Sequence, residues 1–171
     1  MRGSQDLMAY YKFQSEWALT AAVGRVFELA CHPEDFSTWW PSVKVSQLLE
    51  EGDEDGVGSR AAYTLRSPLL YSMRFVTTTV EIQRPSRIHA LVRGDVVGTG
   101  TYLLEGDENR TQVRFVWSVS TTKTWMNLFA PLARPVFVWA HQRVMQKGAV
   151  AMAKHLDATL ISNTAVPSDR R

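Results

Sequence analysis

The chain has one cysteine, Cys31, so no internal disulfide is possible and the fold cannot depend on an oxidising compartment. It has no run of about 18 or more apolar residues, which excludes a membrane-spanning helix. Neither sign of charge dominates. Nineteen basic and 17 acidic residues leave a net +2, with no clustered basic face of the kind that binds nucleic acid. Nucleotide and nucleophile motifs are missing as well. Gly98-Thr99-Gly100-Thr101-Tyr102-Leu103 begins like a dinucleotide fingerprint, but its third glycine is absent. A strand also follows it where a helix is needed to hold the phosphates. No Gly-Lys-Ser/Thr loop and no Gly-x-Ser-x-Gly elbow occurs. The four histidines, His32, His89, His141 and His155, include no pair with zinc-binding spacing. His141 and His155 would stand roughly 21 Å apart along one helix. Cys31 and His32 are neighbours whose side chains diverge by about 100° on a helix, so they do not form a thiol–imidazole pair. These absences predict a domain with no metal and no cofactor.

What is present suits one globular domain. The 171 residues are 45% hydrophobic and 21% charged and include six tryptophans. A chain of this size buries about 70% of its surface on folding, which leaves room for a core and an internal pocket. Met1-Arg2-Gly3-Ser4 looks like a vector-derived leader, and residues 1–9 are expected to be disordered or vector-derived. No apolar signal core follows them, so the expected location is the cytoplasm. The domain is expected over residues 10–160, with a flexible polar tail over 161–171 that carries Pro167.

Residues 10–19 alternate with a period of two: Tyr11, Phe13, Ser15, Trp17 and Leu19 on one side, Lys12, Gln14 and Glu16 on the other. This is a strand with one apolar face. Val23, Val26, Phe27 and Ala30 then share a helical face, with Thr20 as a candidate N-cap, and His32-Pro33 ends the helix. A further short turn over 33–38 leads to Trp39-Trp40-Pro41. From Val43 to Thr121 the chain reads as strands near 42–50, 58–66, 70–83, 86–95, 98–105 and 110–121, joined by turns too short for parallel crossovers. The apolar phase of 70–83 changes from Tyr71, Met73 and Phe75 to Val76, Val80 and Ile82, which predicts a bulge near Phe75 to Thr77. The last element is a helix over about 135–160, with proline in its first turn and Phe137, His141, Val144, Met145, Gly148, Met152 and Leu156 on one stripe. Residues 123–134 are expected as a short helix or a loop packing as a lid. One long helix cannot fill the concave face of a seven-stranded sheet, and the space left over is the candidate pocket.

The order of elements, with Trp39-Trp40-Pro41, Gly56-Val57-Gly58, Tyr71-Ser72-Met73-Arg74-Phe75, the Gly94–Gly100 block, Thr111-Gln112-Val113 leading to Trp117, and the segment Trp125 to Met145, resembles the START/Bet v 1-like (SRPBCC) superfamily, in its polyketide cyclase/dehydrase-like branch. The resemblance covers residues 10–158. It implies an α+β helix-grip fold: a seven-stranded curved antiparallel sheet wrapped around a long C-terminal helix, with short helices after the first strand. That superfamily contains lipid and sterol carriers, aromatase/cyclases and co-chaperones, and fold alone does not choose among them.

The residues expected around the pocket are Trp39, Trp40, Tyr71, Phe75, Tyr102, Trp117, Trp125, Phe137, His141 and Met145. Trp39 and Trp40 sit where such folds have a cavity mouth, or they pack as core. Thr77, Thr79, Glu81 and Arg93 are candidate polar contacts, and Asp95 either caps a turn or faces the pocket. His141, on the inner stripe, could hold a ligand oxygen, act as an acid or base, or serve as a hydrogen-bonded structural group. The expected partner is a small apolar molecule of lipid, isoprenoid or polyketide type, held by a carrier or sensor. The alternatives are a cyclase, aromatase or dehydratase in which His141 moves a proton, and an interaction domain with a filled core.

Overall fold

A computed structural model describes residues 8–166. The alternating segment Tyr10–Leu19 forms strand β1, and Val23–Cys31 forms helix α1, with Val26, Phe27 and Ala30 buried. A single 3-10 turn over Pro33–Asp35 leads into the short helix α2, Phe36–Trp39. Six strands follow: β2 Val43–Glu50, β3 Arg60–Arg66, β4 Ser72–Gln83, β5 Arg87–Gly94, β6 Val96–Gly106 and β7 Thr111–Thr121. Helix α3, Thr124–His155, precedes the last strand, β8, Leu160–Val166. The strands make one curved antiparallel sheet in the order β2-β3-β4-β5-β6-β7-β1-β8. α3 lies in the grip of the sheet, and its inner residues Val144, Met145, Ala149 and Met152 join Trp17, Leu19, Phe27 and Val113 in the main core. The α+β helix-grip architecture is as expected, and five details differ.

The sheet has eight strands where seven were expected. Leu160–Val166, expected as helix end and tail, pairs antiparallel with β1 from Gln14↔Val166 to Leu19↔Leu160. Asp157, at φ 52°, breaks the helix, and the Ala158 N–H closes back on the Ala153 carbonyl at 2.8 Å. The chain then reverses, and Thr159 donates its N–H to the Thr20 hydroxyl at 2.8 Å. Thr20 therefore serves the β8 turn, and the N-cap of α1 is Ala22. An edge strand with a wet face needs little apolar patterning, so Ser162-Asn163-Thr164 reads as tail although its backbone is paired. Residues 1–7 and 167–171 lie outside the described residues.

α3 begins at Thr124 rather than near 135 and runs through Pro131 and Pro135. Each proline withholds an N–H from the helix ladder, at a cost of about 3 kcal/mol in an interior. Met126 before them and Phe137 after them are both buried in one cluster with Tyr11, and this anchoring on both sides offsets that cost.

The β4 bulge lies at Val80, not at 75–77. Thr79 faces Ala90 and Glu81 faces His89, so Val80 has no opposite partner. The pairing with β3 is regular from Ser72 to Thr78. Thr77 and Thr79 continue the inward phase of Met73 and Phe75, and as polar residues they hide it from a count of apolar positions. The β5–β6 corner turns at Asp95 alone, and Val96 is already buried strand.

Candidate functional site

Between α3 and the concave face of the sheet lies a cavity of about 170 Å³, taken as the space open to the centre of a water molecule. Its wall comes from inward positions of the strands: Tyr11 and Phe13 on β1, Tyr63 and Leu65 on β3, Met73 to Thr79 at odd positions on β4, Tyr102 on β6, and Phe115 and Trp117 on β7. Phe137, Ala140, His141, Val144 and Met145 close it from α3. Among the described residues no aspartate, glutamate, lysine or arginine lines it.

Of the residues expected there, Trp40, Tyr71, Phe75, Tyr102, Trp117, Phe137, His141 and Met145 line the cavity, and Trp39 and Trp125 do not. Trp39 and Trp40 adjoin each other at the end of a helical turn and cannot both point inward. Both are buried and stack at 5.7 Å, with Trp39 set against Phe36 and His155. Trp40 donates its indole N–H to the Val144 carbonyl of α3 at 3.1 Å. Gly148 makes that contact possible: a Cβ there would lie 2.5 Å from the indole. The glycine thus serves close approach of Trp40 to the helix. Trp125 is 43% exposed and packs edge-on against Tyr71 and Phe137, behind the wall rather than in it.

His141 stacks on Phe13 with ring centroids 4.0 Å apart and planes 11° from parallel. Among the described residues nothing hydrogen-bonds its ring nitrogens. The cavity borders the ring, so protein covers it only in part. Removal from water, with no acidic neighbour to compensate, pushes the imidazole pKa down to about 3. The ring is therefore neutral near pH 7. It offers one donor and one acceptor and is a weak base.

Besides the indoles of Trp40 and Trp117, the other polar side chains in the wall are hydroxyls. Tyr63 pairs with Thr77, and Tyr71 with Ser67; burial pushes both phenols above their ordinary pKa. Tyr102 is raised by burial, with a smaller contribution from nearby Tyr63. The Tyr11 hydroxyl is buried and has no hydrogen-bond partner among the described residues, an arrangement that costs about 1–3 kcal/mol unless a bound group satisfies it.

Three candidate polar residues lie outside the cavity wall. Asp95 accepts the Arg74 N–H at 2.8 Å and pairs with Lys123 at 3.0 Å, closing the β5–β6 corner. Glu81 pairs with Arg87 at 3.1 Å, and Arg93 is exposed. Thr77 and Thr79 do line the cavity. Sequence reading did not single out Tyr11 or Phe13 for the site. Their signal was the alternation of β1 and its pairing with β7, which sets Phe13 opposite Trp117.

The fold is shared with proteins of very different sequence. The Zhui aromatase/cyclase from Streptomyces sp. R1128 superposes with a TM-score of 0.71 at 13% identity, over 87% of this chain and 94% of that one. A START superfamily protein from Mycobacterium smegmatis gives 0.66 at 14% identity, over 88% and 97%. The major latex-like protein 151 from Panax ginseng gives 0.64 at 12% identity, over 86% and 97%. No curated protein matches the sequence. No helix among the described residues is long and apolar enough to cross a membrane. The sequence profile described as polyketide cyclase/dehydrase and lipid transport matches residues 11–157, and by that match, together with its helix-grip fold, the chain belongs to this family.

Proposed function

We propose that the protein binds a small, mainly apolar molecule of lipid, isoprenoid or polyketide type in the α3 cavity, as a carrier or sensor. The observation that carries this reading is the composition of the wall. Among the described residues it is mainly aromatic and aliphatic, holds no formally charged side chain, and presents a few isolated polar atoms, chiefly the His141 imidazole and the unpartnered Tyr11 hydroxyl. A ligand matched to it is apolar over most of its length and carries an uncharged oxygen that satisfies one of these groups. A charged ligand would leave its charge unpaired, which is costly in such surroundings. The test has two arms. Native mass spectrometry of protein from its own host should show a retained apolar compound, and N-phenyl-1-naphthylamine, a neutral fluorescent probe, should bind and be displaced by that compound. Absence of both defeats the reading.

A second reading, a cyclase or dehydratase, is favoured by the placement of His141 against the cavity, where no described residue hydrogen-bonds its ring nitrogens. Such a reaction would draw on positioning and one proton transfer. With its pKa near 3, the empty-state imidazole is too weak a base for this at neutral pH, so a bound substrate would have to restore its basicity. Turnover of a polyketide-type substrate that falls at least about 100-fold in His141→Ala, with the probe still bound, supports this reading; unchanged turnover removes it.

A further inference from the structure

We infer that the outer face of α3 docks on an anionic lipid bilayer. Trp125, Leu128, Leu132, Val136 and Trp139 recur at spacings of three and four, so they fall within an arc of about 80° on the helix. All are exposed, Leu128 to 72% and Leu132 to 86%. Apart from the edge of Trp125 that meets Tyr71 and Phe137, this face stays open among the described residues, although the opposite side of the same helix is buried. At this end Leu70 is also exposed, beside the Tyr71 ring that packs on Trp125.

The second half of the same outer face is basic. Arg143, Lys147 and Lys154 continue the arc and are exposed, and the Arg143 guanidinium lies over the Trp139 ring at 5.9 Å. From Lys123 to His155 there is no acidic residue. A helix face that is apolar in one half and cationic in the other suits a surface with an apolar interior and anionic headgroups. The apolar half is about 22 Å long, too short to span a bilayer and suited to lying along its boundary. A second copy of the chain would bury the apolar half but would bring no acidic residue of its own helix to the cations. Trp125 and Phe137 touch, so the docked face adjoins the cavity wall.

Vesicle co-sedimentation of the full chain tests this. Vesicles of phosphatidylcholine with about one third phosphatidylglycerol should bind roughly tenfold or more tightly than phosphatidylcholine alone, and binding should fall steeply at high salt. The double variant Leu128→Glu/Leu132→Glu should lose binding at least about tenfold, while Leu49→Glu, at an exposed position on β2, should not. N-phenyl-1-naphthylamine binding by each variant reports that the fold is intact and is read separately from docking. The inference is overturned if the anionic vesicles do not bind, if the double variant binds them equally, or if sedimentation equilibrium shows a self-associated chain that the same two substitutions dissociate.

Discussion

At the scale of single residues, His141 and Gly148 have opposite consequences. The imidazole has a folded pKa near 3, well below its ordinary 6.5. Between these values the unfolded chain binds a proton that the folded chain does not, so this group weakens the fold as pH falls from about 6.5 toward 3 and has no such effect above that window. Urea denaturation should show His141→Phe losing roughly 2–3 kcal/mol less stability than the parent between about pH 7 and pH 4.5. Equal losses would mean that the imidazole is not shielded from water. At Gly148, Gly148→Ala forces a methyl to 2.5 Å from an indole that is tied by its N–H to Val144. The indole cannot move aside without losing that bond, and the expected cost is about 2–3 kcal/mol. Gly24, with nothing within 4 Å of a built Cβ, is the control: Gly24→Ala should stabilise α1 by up to about 1 kcal/mol. The helical stripe through Phe137, His141 and Met145 was legible because a period of 3.6 fixes a face. The side of an adjacent pair such as Trp39-Trp40 was not, because that depends on where the short helix ends.

At the scale of elements, strand β8 is the strongest departure from the sequence pattern, and it changes which strand forms the sheet edge. With β8 present, β1 is hydrogen-bonded on both sides, to β7 along its whole length and to β8 from Gln14 to Leu19. Truncation after Thr159 should expose one side of that stretch only. In an antiparallel strand, successive residues direct their backbone groups to alternate neighbours. Hydrogen exchange in the truncated chain should therefore speed up at every second amide from Gln14 to Leu19, with the alternate amides still protected by β7. Uniform loss of protection would show instead that β8 holds the whole β1–β7 pair in place. The meander β2 to β7 was readable because its turns punctuate alternating runs. β8 was not, because backbone pairing leaves no mark in side-chain composition. The Val80 bulge was misplaced for a related reason: its position follows from inward threonines, which carry the outward signature in an apolar count.

At the scale of the whole molecule, the cavity follows from a mismatch of shapes. α3 is about 48 Å long and crosses a sheet of eight strands, yet its side toward the cavity carries the small residue Ala140 between the larger Phe137 and Val144. The wide sheet and the long helix were legible from periodicity; whether side chains filled the space between them was not, since a strand aromatic lining a core and one lining a cavity have the same pattern. Ala140→Trp should fill the space from a position that is not itself a member of the main core cluster. A ligand that binds only the folded chain stabilises it by RT ln(1 + [L]/Kd), about 2.7 kcal/mol at a hundredfold excess over Kd, and for a domain of this size that raises Tm by roughly 5–10 °C. N-phenyl-1-naphthylamine should produce this rise in the parent and little or none in Ala140→Trp, while the two unliganded proteins melt cooperatively. The comparison separates cavity binding from adsorption on the exposed leucines of α3, because the substitution fills the interior and leaves that outer face unchanged. An equal rise in both proteins would place the probe outside the cavity and remove the physical basis for an internal ligand.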